Sequence, residues 1–97
     1  MPSFTLSVAL RSSTPLDDDA VDRIRAVLRP TDPELRVWRE PDRAVLRVVT
    51  ESEAADLDAA LDLGKDLADE VGAACPGRVF EVAAMDDEDS QVWRAGP

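Results

Sequence analysis

Apolar and polar residues alternate strictly near the start of the chain. Phe4, Leu6, Val8 and Leu10 are separated by Thr5, Ser7, Ala9 and Arg11. A period of two sends successive side chains to opposite faces, so the pattern predicts a β-strand with one face in a core. The pattern then changes. Val21, Ile24 and Leu28 recur at helical spacing, with Val27 widening the stripe, and predict a helix over 18–29. Asp17 is the expected N-cap, with Thr14 before Pro15 as a second candidate. Pro30 and Pro33 end the helix.

The period of two returns at 34–40, ELRVWRE, where Leu35 and Val37 share one face and Arg36, Trp38 and Glu40 the other. Pro41-Asp42 is a turn signal and implies a hairpin into 43–50, RAVLRVVT. Ala44, Leu46 and Val48 alternate there with Val45, Arg47 and Val49. Both faces are fairly apolar, which predicts a central strand. Thr50 to Glu53 fits a capping box, with Ser52 as rival cap. A long helix is expected to follow, running to about residue 74. Leu57, Leu61, Gly64, Ala68 and Val71 form its stripe, widened by Ala60, Leu63, Leu67 and Ala74. A mid-helix glycine costs about 1 kcal/mol against alanine. Gly64 lies on the stripe, so a close approach to another element is its expected reason. Pro76-Gly77 stops the helix, and 78–84 predicts a fourth strand with Phe80, Val82 and Ala84 on the core side. An acidic run, residues 86–89, then precedes Gln91-Val92-Trp93-Arg94, which fits a short edge strand, a last helical turn or a docked tail.

The order β-α-β-β-α-β predicts an α+β domain. The arrangement that fits it best is a ferredoxin-like plait, an antiparallel sheet with both helices on one face. Strands one and three would be central, and strands two and four would be edges. A permuted α+β sandwich is the rival. Residues 1–85 are expected to form the single domain, and 86–97 an acidic tail docked through Trp93. The plait hosts many unrelated functions, so function has to come from sites. The glycine-rich acylphosphatase loop, iron–sulfur cysteine spacing and aromatic ribonucleoprotein motifs are all missing from the chain.

Composition narrows the classes. At 97 residues the chain is one domain, and 44% hydrophobic content is enough to build a modest core. Twenty-one acids against 11 bases give a net charge of −10, which argues against nucleic-acid and anionic-membrane partners. The N-terminal stretch lacks a basic region ahead of an apolar run, so a signal peptide is not expected. No apolar run approaches the roughly 20 residues of a membrane helix. Cys75 is the one cysteine and there is no histidine, so no intramolecular disulfide or His-based catalytic triad can form. A cytoplasmic location is the expectation. No cofactor or metal site is expected.

The uncovered sheet face is the candidate site. If one face meets the helices, the other carries Arg11, Arg36, Trp38, Val45, Arg47 and Val49, besides Val79 and Glu81. A tryptophan and several valines on a face nominally open to water suggest burial by a partner. Trp93 is a further candidate contact. The acids 17–19 read as helix-start charges and Cys75 as an inert thiol at a helix end. No catalytic residue stands out, and the chain reads as a non-enzymatic module that associates with itself or another protein, most simply a homodimer through its sheet face or edge. One rival is a small-ligand or catalytic domain in which Arg36, Arg47 and Trp38 hold an anion. Another is an acidic decoy of a basic protein surface.

Overall fold

The computed structural model describes residues 1–29, 34–40 and 44–95. The expected stop at Pro30 and Pro33, the Pro41-Asp42 turn and Arg43 lie outside them. The elements are β1 (Ser3–Ser12), α1 (Asp18–Leu28), β2 (Arg36–Arg39), β3 (Val45–Glu53), α2 (Leu57–Ala74), β4 (Gly77–Met85) and β5 (Ser90–Arg94). They form an α+β structure in which a five-stranded antiparallel sheet, ordered β2-β3-β1-β4-β5, is covered by two helices. No described helix is long and apolar enough to cross a membrane.

Helix α1 starts where its cap predicts. The Asp17 carboxylate accepts the Ala20 N–H at 2.7 Å, satisfying one of the donors left open at a helix start. Val21, Ile24 and Leu28 are buried, but Val27 falls past the edge of that arc and is exposed. Helix α2 starts later than expected. Thr50 does not cap it; β3 continues to Glu53, and Asp56 is the cap, its carboxylate accepting the Ala59 N–H at 2.8 Å. The reason lies in β1, whose residues Ser3, Phe4 and Thr5 pair with Glu53, Ser52 and Glu51. A continued ladder pairs more backbone groups than the two donors a capping box satisfies. Thr50 is thereby buried opposite Leu6. On α2 the buried stripe is Ala60, Gly64, Leu67, Ala68 and Val71, while Leu63 is exposed.

One buried cluster joins Val21, Ile24 and Leu28 of α1 and Leu67, Ala68 and Val71 of α2 to Val8, Leu10, Val37, Leu46, Val48 and Val82 of the sheet. By register these strand side chains share one side of the sheet, so both helices cover the same face. Fully burying each such aliphatic side chain is worth about 1.5–3 kcal/mol. Gly64 explains how α2 comes so near. A methyl group at that position would sit 2.9 Å from Val82 Cγ1.

Two departures from the expected pattern shape the open face. Ala9 pairs with Glu81, but Leu10 pairs with Val79, so Phe80 is an extra residue in β4. This bulge turns Val79 toward the core cluster and Phe80 away from it, the reverse of strict alternation. The second departure is at the C-terminal end. Beyond residue 85, Ser90–Arg94 pair with β4 as a fifth strand of the sheet. The Asp86 carboxylate accepts the N–H groups of Glu88 (2.8 Å) and Asp89 (2.7 Å), and Asp86 N–H donates to the Asp89 carbonyl at 2.9 Å. This closes a turn that lays β5 along β4, so β4 is interior and β5 is the edge.

Candidate functional site

On the helix-free face the registers align one residue from every strand. Trp38, Arg47, Ala9, Glu81 and Arg94 form a single rung from β2 to β5. Ala9 is fully buried beneath it. Its methyl group is low enough for charged side chains on β3 and β4 to meet above β1. Arg47 Nη1 lies 3.6 Å from Glu81 Oε2. Arg47 Nε donates to Glu40 at 2.8 Å, and Arg94 Nε donates to Glu81 at 3.1 Å. The charges alternate along this ladder: Glu40, Arg47, Glu81, Arg94.

The next rung is Arg36, Val49, Ser7, Ala83 and Val92, and beyond it come Glu51, Thr5, Met85 and Ser90. On the other side of the ladder stand Val45, Arg11 and Arg78, with the Arg11 guanidinium 5.6 Å over the Phe80 ring. The face is therefore polarised along the strands. Glu51 and Glu53 mark one end, and Arg11 and Arg78 the other. Among the described residues five arginines, Arg11, Arg36, Arg47, Arg78 and Arg94, stand on this face, in a chain whose net charge is −10. Glu40, Glu51, Glu53 and Glu81 share the face with them, and further acids, Asp58, Asp62, Asp66 and Asp69, are exposed along α2.

Six of the seven expected site residues are thus brought to one face: Arg11, Arg36, Trp38, Val45, Arg47 and Val49. Their states differ. Trp38 is 41% exposed, whereas Val45 is only 3% exposed and is packing for the face rather than contact surface. Arg47 is not free to hold an anion, because Glu40 and Glu81 already engage it. Val79 has left the face and Phe80 has joined it. Trp93 is on the opposite side of the sheet, paired with Val82, where it lines a groove of about 340 Å³ with Lys65, Ala68, Asp69 and Val79. Alternation had already put Glu81 on the open face, but its partner across β1 needed the register. Nothing in the sequence marks the bulge at Phe80.

Elsewhere the polar groups have structural employment. Asp17 caps α1, and Asp18 lies 3.5 Å from Arg39. Cys75 is buried at the end of α2, 3.9 Å from the Ser12 hydroxyl. Among the described residues no group of three or more acidic, cysteine or histidine side chains is placed to hold a metal ion. No protein-family model, curated protein or solved structure matches the chain.

Proposed function

We propose that this chain is a non-enzymatic association module, a ferredoxin-like plait extended by one strand, whose helix-free face docks a second copy of itself. The strand order supports the plait reading: β2-β3-β1-β4 has two interleaved β-α-β units, with β5 added beside β4. The observation that carries the docking reading is Trp38, a large apolar side chain left 41% exposed opposite Arg47 on a sheet face that neither described helix covers. The polarity of the face favours a second copy as the occupant. A two-fold axis that runs the strands of two copies in opposite directions sets Glu51 and Glu53 of each against the Arg11 end of the other.

The ligand reading loses its principal cation, because Arg47 is committed to two carboxylates. Light scattering over a concentration series tests the docking reading. A concentration-dependent rise in mass is expected, with Trp38→Glu halving the mass reached while its circular dichroism stays unchanged. A wild-type chain that stays monomeric at high micromolar concentration sinks the proposal.

A further inference from the structure

The two edges of the sheet are treated differently. At β2 the helix reaches over. Arg25 Nη2 of α1 donates to the Val37 carbonyl at 2.7 Å, and Arg29 Nε approaches the Leu35 carbonyl at 3.5 Å. Glu40 N–H bonds inward to the Val45 carbonyl, so the outward carbonyls of this strand are those of Leu35, Val37 and Arg39. Two of the three therefore face Arg25 of α1 and Arg29 at its C-cap, which guard the edge.

At β5 no such guard stands among the described residues. The Ala95 N–H bonds inward to the Phe80 carbonyl, which makes Trp93 and Gln91 the inward-bonded residues and directs the backbone N–H and C=O groups of Ser90, Val92 and Arg94 outward. Within β5 there is no proline, no lysine and no bulge, and its one charged side chain, Arg94, is turned inward to Glu81 on β4. The strand also exposes an apolar side chain on each of its faces, Val92 at 46% and Trp93 at 39%. A docked sheet face would cover Val92 alone. A strand added to the edge gives both a neighbour at once.

We infer that β5 is a pairing edge that takes β5 of a second copy, antiparallel, across a two-fold axis at Val92. The outward groups are symmetric about that residue, so this register uses all of them. Val92 exchanges both backbone bonds with its symmetry mate, and Ser90 does so with Arg94 of the other copy. The side chains agree with the pairing. Arg94 falls beside Ser90 and the acidic turn at Asp89 of the second copy, and the two Trp93 rings stand diagonally across the join within aromatic reach. The result is a continuous sheet through both copies. This contact is separate from the one proposed for the helix-free face and does not depend on it.

Val92→Pro tests the edge. It removes one outward N–H while keeping an apolar side chain of similar size, and it leaves the ladder to β4 intact. Ser90→Pro serves the same purpose if Val92→Pro fails to fold. Light scattering is measured on Trp38→Glu, Val92→Pro and the double variant, each checked by circular dichroism. The expected result is that Trp38→Glu still forms dimers and the double variant has half that mass. The edge inference is overturned if Trp38→Glu is monomeric, or if the double variant keeps the mass of Trp38→Glu. A monomeric Val92→Pro variant with Trp38 intact would instead overturn the face reading and leave the edge standing.

Discussion

Arg47 and Glu81 belong to strands that are not neighbours, yet their side chains meet 3.6 Å apart over the buried methyl group of Ala9. Each also holds a second partner, Glu40 or Arg94. Exposed pairs are worth about 0.2–1 kcal/mol, and these side chains are still 32% and 21% exposed, so the coupling is modest. A double-mutant cycle with Arg47→Met and Glu81→Gln should give about 0.5–1 kcal/mol of coupling at low salt and near zero at 1 M, where the Debye length is about 3 Å. Ala9→Leu should remove the coupling too, by lifting the two side chains apart. Coupling that survives in Ala9→Leu would show that the pair does not depend on the gap above β1.

The two glycines within α2 should respond in opposite directions. Gly72 is exposed, with nothing within 4 Å of an added methyl group. Gly72→Ala should therefore stabilise by about 1 kcal/mol, the ordinary helix gain. Gly64→Ala earns the same gain but drives a methyl group to 2.9 Å from Val82 Cγ1. Overpacking costs about 1–3 kcal/mol, so the variant should be neutral to about 2 kcal/mol less stable. Val82→Ala should relieve it. Denaturant midpoints read both, and a stabilised Gly64→Ala would mean that α2 does not rest on β4 at this point.

The turn at Asp86 links pH to the β5 edge. The N–H groups of Glu88 and then Asp89 hold the Asp86 carboxyl below the ordinary aspartate range. A carboxyl whose folded-state value is depressed stabilises above its unfolded value, and that contribution is lost as pH falls through the folded one. The β4–β5 turn should therefore loosen only in acid, below the ordinary aspartate value. Asp86→Asn keeps the acceptor oxygen and should abolish this component. Amide exchange at Trp93 and Gln91, the residues bonded inward to β4, reports it. An identical acid response in Asp86→Asn would show that the turn carboxylate is not its source.

Much of this was readable from residue order, and the misses share a cause. Strand and helix periods are local, so the elements, the Asp17 cap and the packing role of Gly64 could be inferred from spacing. The end of β3 could not, because Thr50 to Glu53 satisfies a local capping rule that distant Ser3, Phe4 and Thr5 outcompete. Likewise Arg36, Trp38, Arg47 and Val49 were placed on one face by alternation. That Arg47 is neutralised, however, depends on which residue of β4 lies beyond Ala9. Register between distant strands is set by the whole core and leaves no mark at any single position.

The bulge in β4 offers the sharpest test of that distinction. Strict alternation from Val82 puts Phe80 in the core and Val79 outside. The observed register does the opposite, packing Val79 against the core cluster and standing Phe80 under the Arg11 guanidinium at 5.6 Å. Val79→Lys should accordingly be the more damaging change, because it removes a side chain packed against the core cluster and sets an ammonium group at the rim of that core, where only Asp69 across the groove can offset its lost hydration. A loss of about 1–2 kcal/mol is expected, as for an ordinary destabilising substitution at a partly buried site. Phe80→Lys should cost less. It forfeits an exposed cation–π contact worth about 0.5–1 kcal/mol and places the new charge near Arg11, where salt can screen it. Raising the salt concentration should recover part of the Phe80→Lys loss and little of the Val79→Lys loss. The reverse ranking of the two variants would mean that β4 runs without its extra residue, and would return Phe80 to the core.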